Sequence, residues 1–433
     1  MKQLVSIIIM SLILINTQAQ EKLSLSDAIR IGLENNYDLQ IQRNSEEISG
    51  INNTWGNTSI MPSIGFSVTG SQNYNFNNTE NYSQQSLAPQ VNLSWVIFDG
   101  FSARINKQTF EDLETQSQGN TAILVENTIQ DIILAYNNCL LQKEMVEVFK
   151  ELTDLSEDRY NRTLDSKNIG AGTTYESSQA KTSWLEDQSN YLQQKITFEN
   201  SVRTLNFALA VGNDATWDFI SGLTAETPAY DIESLSVKMN SNNNTLKNQY
   251  LYQSLLAKET ALAKSAYSPT LSLNTSIGNT DFGKYYSGST PKLTQNYTDA
   301  YIGITLSWNI FNGGTRKRSV EIAKINEESA SVQTSQIEHS LNNQLLQMYS
   351  NYQVQKAVLY LAKEQEASAK LNLELSEEKL RNGNINSFNY RDVQITYLNA
   401  AISRFTAIYN VIQSNTDLLR ITGGIINEYN KEG

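Results

Sequence analysis

An internal duplication constrains this chain more than any other feature of its sequence. The heptapeptide SWVIFDG at residues 94–100 returns 213 positions later as SWNIFNG at residues 307–313. Upstream, an offset of 207 aligns Pro62 with Pro269, so a single short insertion separates two stretches of constant spacing. Self-similarity at a fixed spacing is the signature of a repeat architecture. We therefore predict two tandem copies of one folding unit, residues 20–230 and 231–433.

Each copy contains segments in which apolar and polar residues alternate. After Pro62, the residues Ile64, Phe66 and Val68 fall on one face, and small or polar residues fall on the other. Alternation with a period of two is typical of a β-strand that has one apolar face. Each copy has two such segments, so the sequence predicts one β-hairpin per copy, at about residues 62–98 and 269–311.

A long helix is expected after each hairpin. Apolar residues recur every three or four positions, as at Ile129, Ile132, Ile133 and Tyr136, which indicates a coiled-coil-like seam. No proline interrupts either stretch, and 68 helical residues would extend about 100 Å. Two shorter helices would lie end to end beside each long one. The predicted long helices and the turns that follow them span residues 101–168, 169–174, 315–382 and 383–387.

The N-terminus predicts export from the cytoplasm. Lys2 precedes an apolar run at residues 4–15, and small residues follow up to Ala19. This run is too short for a membrane-spanning helix, which needs about 20 apolar residues, and it has the layout of a secretory signal peptide. We predict that residues 1–19 are removed. The remaining sequence has no apolar run of spanning length, so any crossing of a membrane would use strands.

Composition argues against several functional classes. Acidic residues outnumber basic ones by 45 to 33, which disfavours nucleic acid as a partner. The chain has one histidine, His339, and one cysteine, Cys139, too few for a metal site of these ligands or for an internal disulfide. A Ser-His-Asp triad would need His339, which lies in a helical seam. The sequence therefore predicts no catalysis, no metal and no cofactor.

The hairpins indicate a membrane-embedded sheet. Isolated hairpins are marginally stable in water, whereas a closed barrel pairs every strand edge in a bilayer. Four strands are too few, because known membrane barrels start at about eight, so several protomers would have to contribute. An ordinary soluble hairpin with buried tryptophans is the alternative. On the membrane hypothesis, one end of the strands carries the interface aromatics Trp95, Phe98, Trp308 and Phe311.

Several motifs together resemble one family over essentially the whole mature length. They are LSLSDAIRIGLENNYDLQ, the pair LSWVIFDG and LSWNIFNGG, and the turn motifs GAGTTYESSQA and GNINSFNYRDVQ. The chain resembles the TolC-like outer-membrane efflux family. That resemblance implies a homotrimer in the lipid of the outer membrane, with a twelve-stranded barrel and a periplasmic tunnel of helices. It also implies a passive exit duct of a tripartite efflux pump or of a type I secretion system, which works with a periplasmic adaptor and an inner-membrane pump. A periplasmic coiled-coil scaffold or adaptor without a pore is the alternative.

The resemblance also implies functional residues at the two helical turns. In the family, a glycine is followed by a hydroxyl residue three positions later and an acid six positions later. Asn386 and Asn389 replace the hydroxyl and the acid in the second copy, where an acid nine positions after the glycine matches a second gate acid. The candidate gate residues are Asp392, Glu176 and Asn389. The candidate adaptor-docking residues are Gly170, Ala171, Thr173, Gly383, Asn384, Asn386 and Ser387. Acids that stabilise the first helical turns through the helix dipole are the alternative.

Overall fold

A computed structural model of the chain describes residues 21–76, 81–286 and 293–429. The predicted signal peptide lies outside the described residues. The structure divides into two compact units. Of the described residues, the helical unit contains those up to Gln42, then Thr121–Asn244 and those from Glu338 onward. The strand unit contains Arg43–Asn120 and Thr245–Ile337.

The same series of elements occurs twice along the chain. In order, the elements are β1 Glu21–Leu23, α1 Leu25–Asn35, α2 Tyr37–Asn52, β2 Ser63–Asn75, β3 Tyr82–Phe98, α3 Ser102–Asn168, α4 Thr174–Ala208, β4 Trp217–Phe219, α5 Ile232–Asn242, α6 Asn244–Ser265, β5 Thr270–Tyr286, β6 Leu293–Ser307, α7 Thr315–Arg381, α8 Ser387–Ile421 and α9 Ile425–Tyr429. Helices α3 and α7 both have 67 residues, and α4 and α8 both have 35. This correspondence confirms the predicted tandem architecture of hairpins and long helices.

The strand unit contains an antiparallel sheet in the order β2-β3-β5-β6. Its register places Phe66 opposite Val91, Val91 opposite Ile277, and Leu273 opposite Ile304. Since directly opposite residues project to the same face, the apolar residues of all four strands share one face. That face is exposed in the single chain, with Phe66 at 70% and Ile304 at 68% exposure.

The last strand is shorter than the sequence predicted. Alternation placed Trp308 and Ile310 on this strand, but β6 ends at Ser307. The next partner on β5 would be Pro269, which has no N–H to donate to a ladder. The corresponding strand β3 faces Pro62 in the same way, yet it continues to Phe98 because it also pairs with β5.

The helical unit is held by a core along the predicted seam. Ile132, Ile133 and Tyr136 of α3 are fully buried, and so are Ala400 and Val411 of α8. The Tyr136 hydroxyl donates to the carbonyl oxygen of Leu23 at 3.0 Å, which ties α3 to the N-terminal strand. Strand β1 pairs in parallel with β4, a small sheet that the sequence did not predict.

The sequence predicts one continuous helix at the start of each copy, at about residues 26–55 and 233–266, but the structure has a break in both. In the first copy the break occurs at Asn36, whose side-chain oxygen accepts the backbone N–H of Leu39 at 3.0 Å. The equivalent break in the second copy occurs at Asn243. None of the helices within the described part of the chain is both long and apolar enough to span a membrane.

Candidate functional site

Each of the duplicated tryptophans forms a hydrogen bond with the segment that precedes its own hairpin. The indole Nε1 of Trp95 donates to the carbonyl oxygen of Ile60 at 2.8 Å. In the second copy, Nε1 of Trp308 donates to the carbonyl oxygen of Tyr267 at 3.0 Å. Ile60 and Tyr267 are related by the upstream offset of 207, so the same contact occurs in both copies. A tryptophan in each heptapeptide therefore closes the base of its hairpin.

The residues after each tryptophan form the joint between a strand and a long helix. Asp99 accepts the backbone N–H of Ala103 at 2.7 Å, and Asn312 is its counterpart at the start of α7. Gly100 has a φ of +71°, and a Cβ there would lie 2.6 Å from the carbonyl oxygen of Ser265. Any other residue would place its Cβ against this carbonyl oxygen, so the joint requires glycine.

The interface aromatics of the two joints differ in exposure. Phe98 is half-buried and packs edge-to-face on Phe101, with ring centroids 5.3 Å apart. Trp95 is 39% exposed, whereas Trp308 and Phe311 are 58% and 83% exposed. Of the four predicted interface aromatics, the two in the second copy are therefore more exposed than their counterparts in the first.

The first helical turn is closed by a complete capping box. Gly170 has a φ of +77°, and Thr173 is the N-cap of α4. The Thr173 hydroxyl accepts the Glu176 N–H at 3.2 Å, and the Glu176 carboxylate accepts the Thr173 N–H at 3.1 Å. Such reciprocal bonds satisfy two otherwise unpaired donors of the helix end. The carboxylate of Glu176 is therefore engaged within its own turn.

The second helical turn has only one of the two hydrogen bonds of a capping box. Gly383 has a φ of +71°, and the Asn386 side chain accepts the Asn389 N–H at 2.9 Å. Ser387 is the first residue of α8 rather than part of the turn. Asp392 is exposed, and its carboxylate has no hydrogen bond or ion pair within the described structure. Asp392 thus differs from Glu176 in having a free carboxylate.

The two turns lie close together at the same end of the helical unit. The rings of Tyr175 and Phe388, in the first turns of α4 and α8, have centroids 6.2 Å apart. The predicted docking residues Ala171 and Asn384 are both exposed, each in one of the two turns. The structure therefore brings the predicted gate and docking residues into one neighbourhood.

A buried ionic cluster, which no sequence motif predicted, lies deeper in the same unit. Arg391 of α8 forms a bidentate pair with Asp187 of α4, with N–O distances of 2.6 and 2.7 Å. Arg159 of α3 is 4% exposed, and its Nη1 donates to the carbonyl oxygen of Ser387 at 3.3 Å. Its Nε and Nη2 have no partner in the part of the chain described here. Burial, followed by the nearby Arg391, lowers the pKa of Arg159 to about 10.

No group of His, Cys, Asp and Glu side chains among the described residues is arranged to hold a metal ion. The site consists instead of turns, capped helix ends and an exposed acid.

Comparison with known proteins identifies the family. The family model described as outer membrane efflux protein matches residues 29–211 and 235–424, which is most of the chain. The chain belongs to the outer membrane efflux protein family. The family locates it in the cell outer membrane. No curated protein matches the sequence.

Solved channel structures share the fold of this efflux family member at low sequence identity. The CmeC outer membrane channel of Campylobacter jejuni is 19% identical, with a TM-score of 0.79, and the match covers 94% of this chain and 89% of that chain. The MtrE outer membrane channel of Neisseria gonorrhoeae is 15% identical, with a TM-score of 0.73 over 92% and 89%. The outer membrane protein VceC of Vibrio cholerae is 13% identical, with a TM-score of 0.72 over 92% and 96%.

Proposed function

We propose that the chain forms a homotrimeric, passive exit duct without catalytic activity. Three copies would supply the strands of one twelve-stranded barrel, and the helices would form the periplasmic tunnel. Drugs, metals or exported substrates would pass through it from a periplasmic adaptor and an inner-membrane pump. Each protomer would consist of two repeats that meet near residue 230. Energy for transport would come from the pump.

The exposed apolar face of the sheet carries this proposal. In the strand unit, β2 and β6 each pair on one side only among the described residues, so both edges have unused backbone groups. Unpaired backbone groups are costly in a bilayer, and closing the sheet with neighbouring copies satisfies them. Closure would leave the face that carries Phe66 and Ile304 towards lipid, and this accounts for its exposure in the single chain.

An arginine on the apolar face tests the barrel. Leu306 is 68% exposed and lies opposite Leu271, whereas the adjacent Thr305 projects to the other face. Arginine facing lipid costs about 2–4 kcal/mol at the bilayer midplane and less near the interface. Leu306→Arg should therefore reduce the heat-modifiable oligomer on a gel, and Thr305→Arg should spare it. An oligomer that survives Leu306→Arg as well as Thr305→Arg would contradict a lipid-facing strand, and recovery in a detergent-free periplasmic extract would favour a scaffold.

Asp392 is the proposed gate residue. In a trimer, an acid that faces the axis occurs three times, and a ring of like charges at a constriction favours cations. The carboxylate of Asp392 is free, whereas that of Glu176 is used by the capping box, and Asn389 carries no charge. Asp392→Asn should reduce the cation selectivity measured in planar bilayers more than Glu176→Gln does. Unchanged selectivity in both variants and in the double variant would leave these acids with a role in helix stability alone.

The two turns are the proposed docking point for the adaptor. Ala171 and Asn384 are exposed, and glycines with positive φ hold both turns. Photo-crosslinkers at these two positions should capture a periplasmic adaptor in cells, and a crosslinker at the exposed Lys195 on α4 serves as the control. Capture only by a reagent applied to the cell surface would reverse the proposed orientation.

A further inference from the structure

The joint between β6 and α7 carries three consecutive cations. They are Arg316, Lys317 and Arg318, and the 213-residue offset relates them to Ala103, Arg104 and Ile105 of the first copy. The residue that precedes each helix also differs, because Asn312 is neutral where Asp99 carries a negative charge. The two joints thus correspond in sequence position but differ in net charge.

Helix stability does not explain these cations. The positive end of the helix dipole lies at the N-terminus, where basic side chains are unfavourable. The first turn of α7 contains no acidic residue that would offset this effect. The chain as a whole has a net charge of −12, so a run of three basic residues is also unusual for its composition.

Arg316 has an evident structural role, whereas its two neighbours do not. Its Nη1 donates to the carbonyl oxygen of Ala266 at 3.0 Å, and its guanidinium lies 5.2 Å from the ring centroid of Tyr267. The side chain of Lys317 is 77% exposed, and its ion pair with the exposed Glu321 is long, at 3.9 Å. Arg318 is exposed and reaches only the carbonyl of Gly313 and the hydroxyl of Thr315. Two cationic groups therefore face solvent at this joint.

Exposed apolar side chains lie immediately before the cations in the chain. Trp308, Ile310 and Phe311 are 58%, 80% and 83% exposed, all in the strand unit that contains the cations. Aromatic residues beside basic ones are typical of the membrane–water interface, where rings sit at headgroup level and cations attract anionic headgroups. The first joint also exposes apolar side chains, with Trp95, Ile97 and Phe101 at 39%, 40% and 63%, but Arg104 is the only exposed cation among residues 95–105. The two joints therefore differ mainly in charge.

We propose that this surface, residues 308–318, binds the headgroup of an anionic phospholipid, such as phosphatidylglycerol, in the periplasmic leaflet. Lys317 and Arg318 contact the phosphate, and Trp308, Ile310 and Phe311 lie against the glycerol and upper acyl region. This inference rests on the proposed function, which places the strands in the outer membrane. A trimer carries three such sites, one beside each second hairpin.

Quenching of tryptophan fluorescence by brominated lipids tests the proposal. The full-length mature protein is reconstituted in phosphatidylcholine vesicles that contain either dibrominated phosphatidylglycerol or dibrominated phosphatidylcholine. The ratio of quenching by the two lipids gives the relative association constant for the anionic headgroup. A basic residue near an anionic surface contributes about a fivefold preference, so Lys317→Gln and Arg318→Gln should each lower the ratio by about that factor. Together they should lower it roughly 25-fold, until the preference is lost.

Arg104→Gln is the matched control, because Arg104 occupies the position of Lys317 in the first copy. It should change the ratio little. An equal ratio in the wild type and the Lys317→Gln/Arg318→Gln variant, or an equal drop in Arg104→Gln, would overturn the lipid site while leaving the duct intact. Absence of quenching by either lipid in the wild type would overturn the membrane location, and the lipid site with it.

Discussion

Removing the carboxylate of Asp187 should destabilise the helical unit more than removing its partner Arg391. Asp187 is 1% exposed and forms both short bonds to Arg391. In Asp187→Asn, the guanidinium of Arg391 loses its counter-ion, and the buried Arg159 remains charged beside it. Breaking a buried ion pair by deleting one partner costs about 3–5 kcal/mol. We expect Asp187→Asn to lie in that range.

Removing Arg391 instead leaves the negative charge of Asp187 in place. In Arg391→Met, Asp187 keeps a nearby cation, because the guanidinium of Arg159 also interacts with it electrostatically. The Nε and Nη2 atoms of Arg159 have no partner in the described structure. We therefore expect a loss of only about 1–3 kcal/mol, similar to that for one unsatisfied buried group. The double variant Asp187→Leu/Arg391→Met should lose less than the sum of the two single losses, because an apolar pair can replace a buried ion pair at little cost.

Hydrogen exchange measures these differences in the assembled protein. Peptides from residues 387–400 report the local opening free energy of α8 near the cluster. Arg203→Gln is the control, since its pair with Glu199 is exposed and long, at 3.6 Å, and should contribute less than about 1 kcal/mol. A loss below about 1 kcal/mol in Asp187→Asn, or an equal loss in Arg391→Met, would refute the argument that Asp187 neutralises two buried cations.

The glycines and tryptophans of the joints, and the half-buried acid Asp417, can be tested in the same way. Gly100→Ala should impair assembly on heat-modifiable gels, because its Cβ would collide with backbone, and Gly313→Ala should be milder because nothing lies within 4 Å. Trp308→Phe should speed proteolysis at the hairpin base by removing an indole hydrogen bond, and normal resistance would count against that role. Burial raises the pKa of Asp417 above its ordinary 3.8, despite the opposing charge of Arg420. Its protonated form is therefore favoured by folding, so local stability should fall as pH rises from about 4 through the raised pKa, and Asp417→Asn should flatten that profile in hydrogen exchange.

The sequence alone predicted the features that depend on near neighbours. Alternation around Phe66 indicated a strand, and the spacing of Ile132 and Tyr136 indicated a helical seam. The offset between the two heptapeptides revealed the duplication. The first two signals are local periods that a strand or a helix imposes on its own residues, and the duplication is found by comparing the sequence with itself.

Tertiary structure decided the contacts between distant segments. The end of β6 at Ser307 depends on Pro269 lying opposite the next residue, and the acceptors of the two indoles depend on how each hairpin closes. The pair between Asp187 and Arg391 joins residues 204 positions apart, and no local period marks either one. The packing of the helices determines which charges lose water. It buries the pair of Asp187 and Arg391, which therefore affects stability, and it leaves Asp392 on the surface.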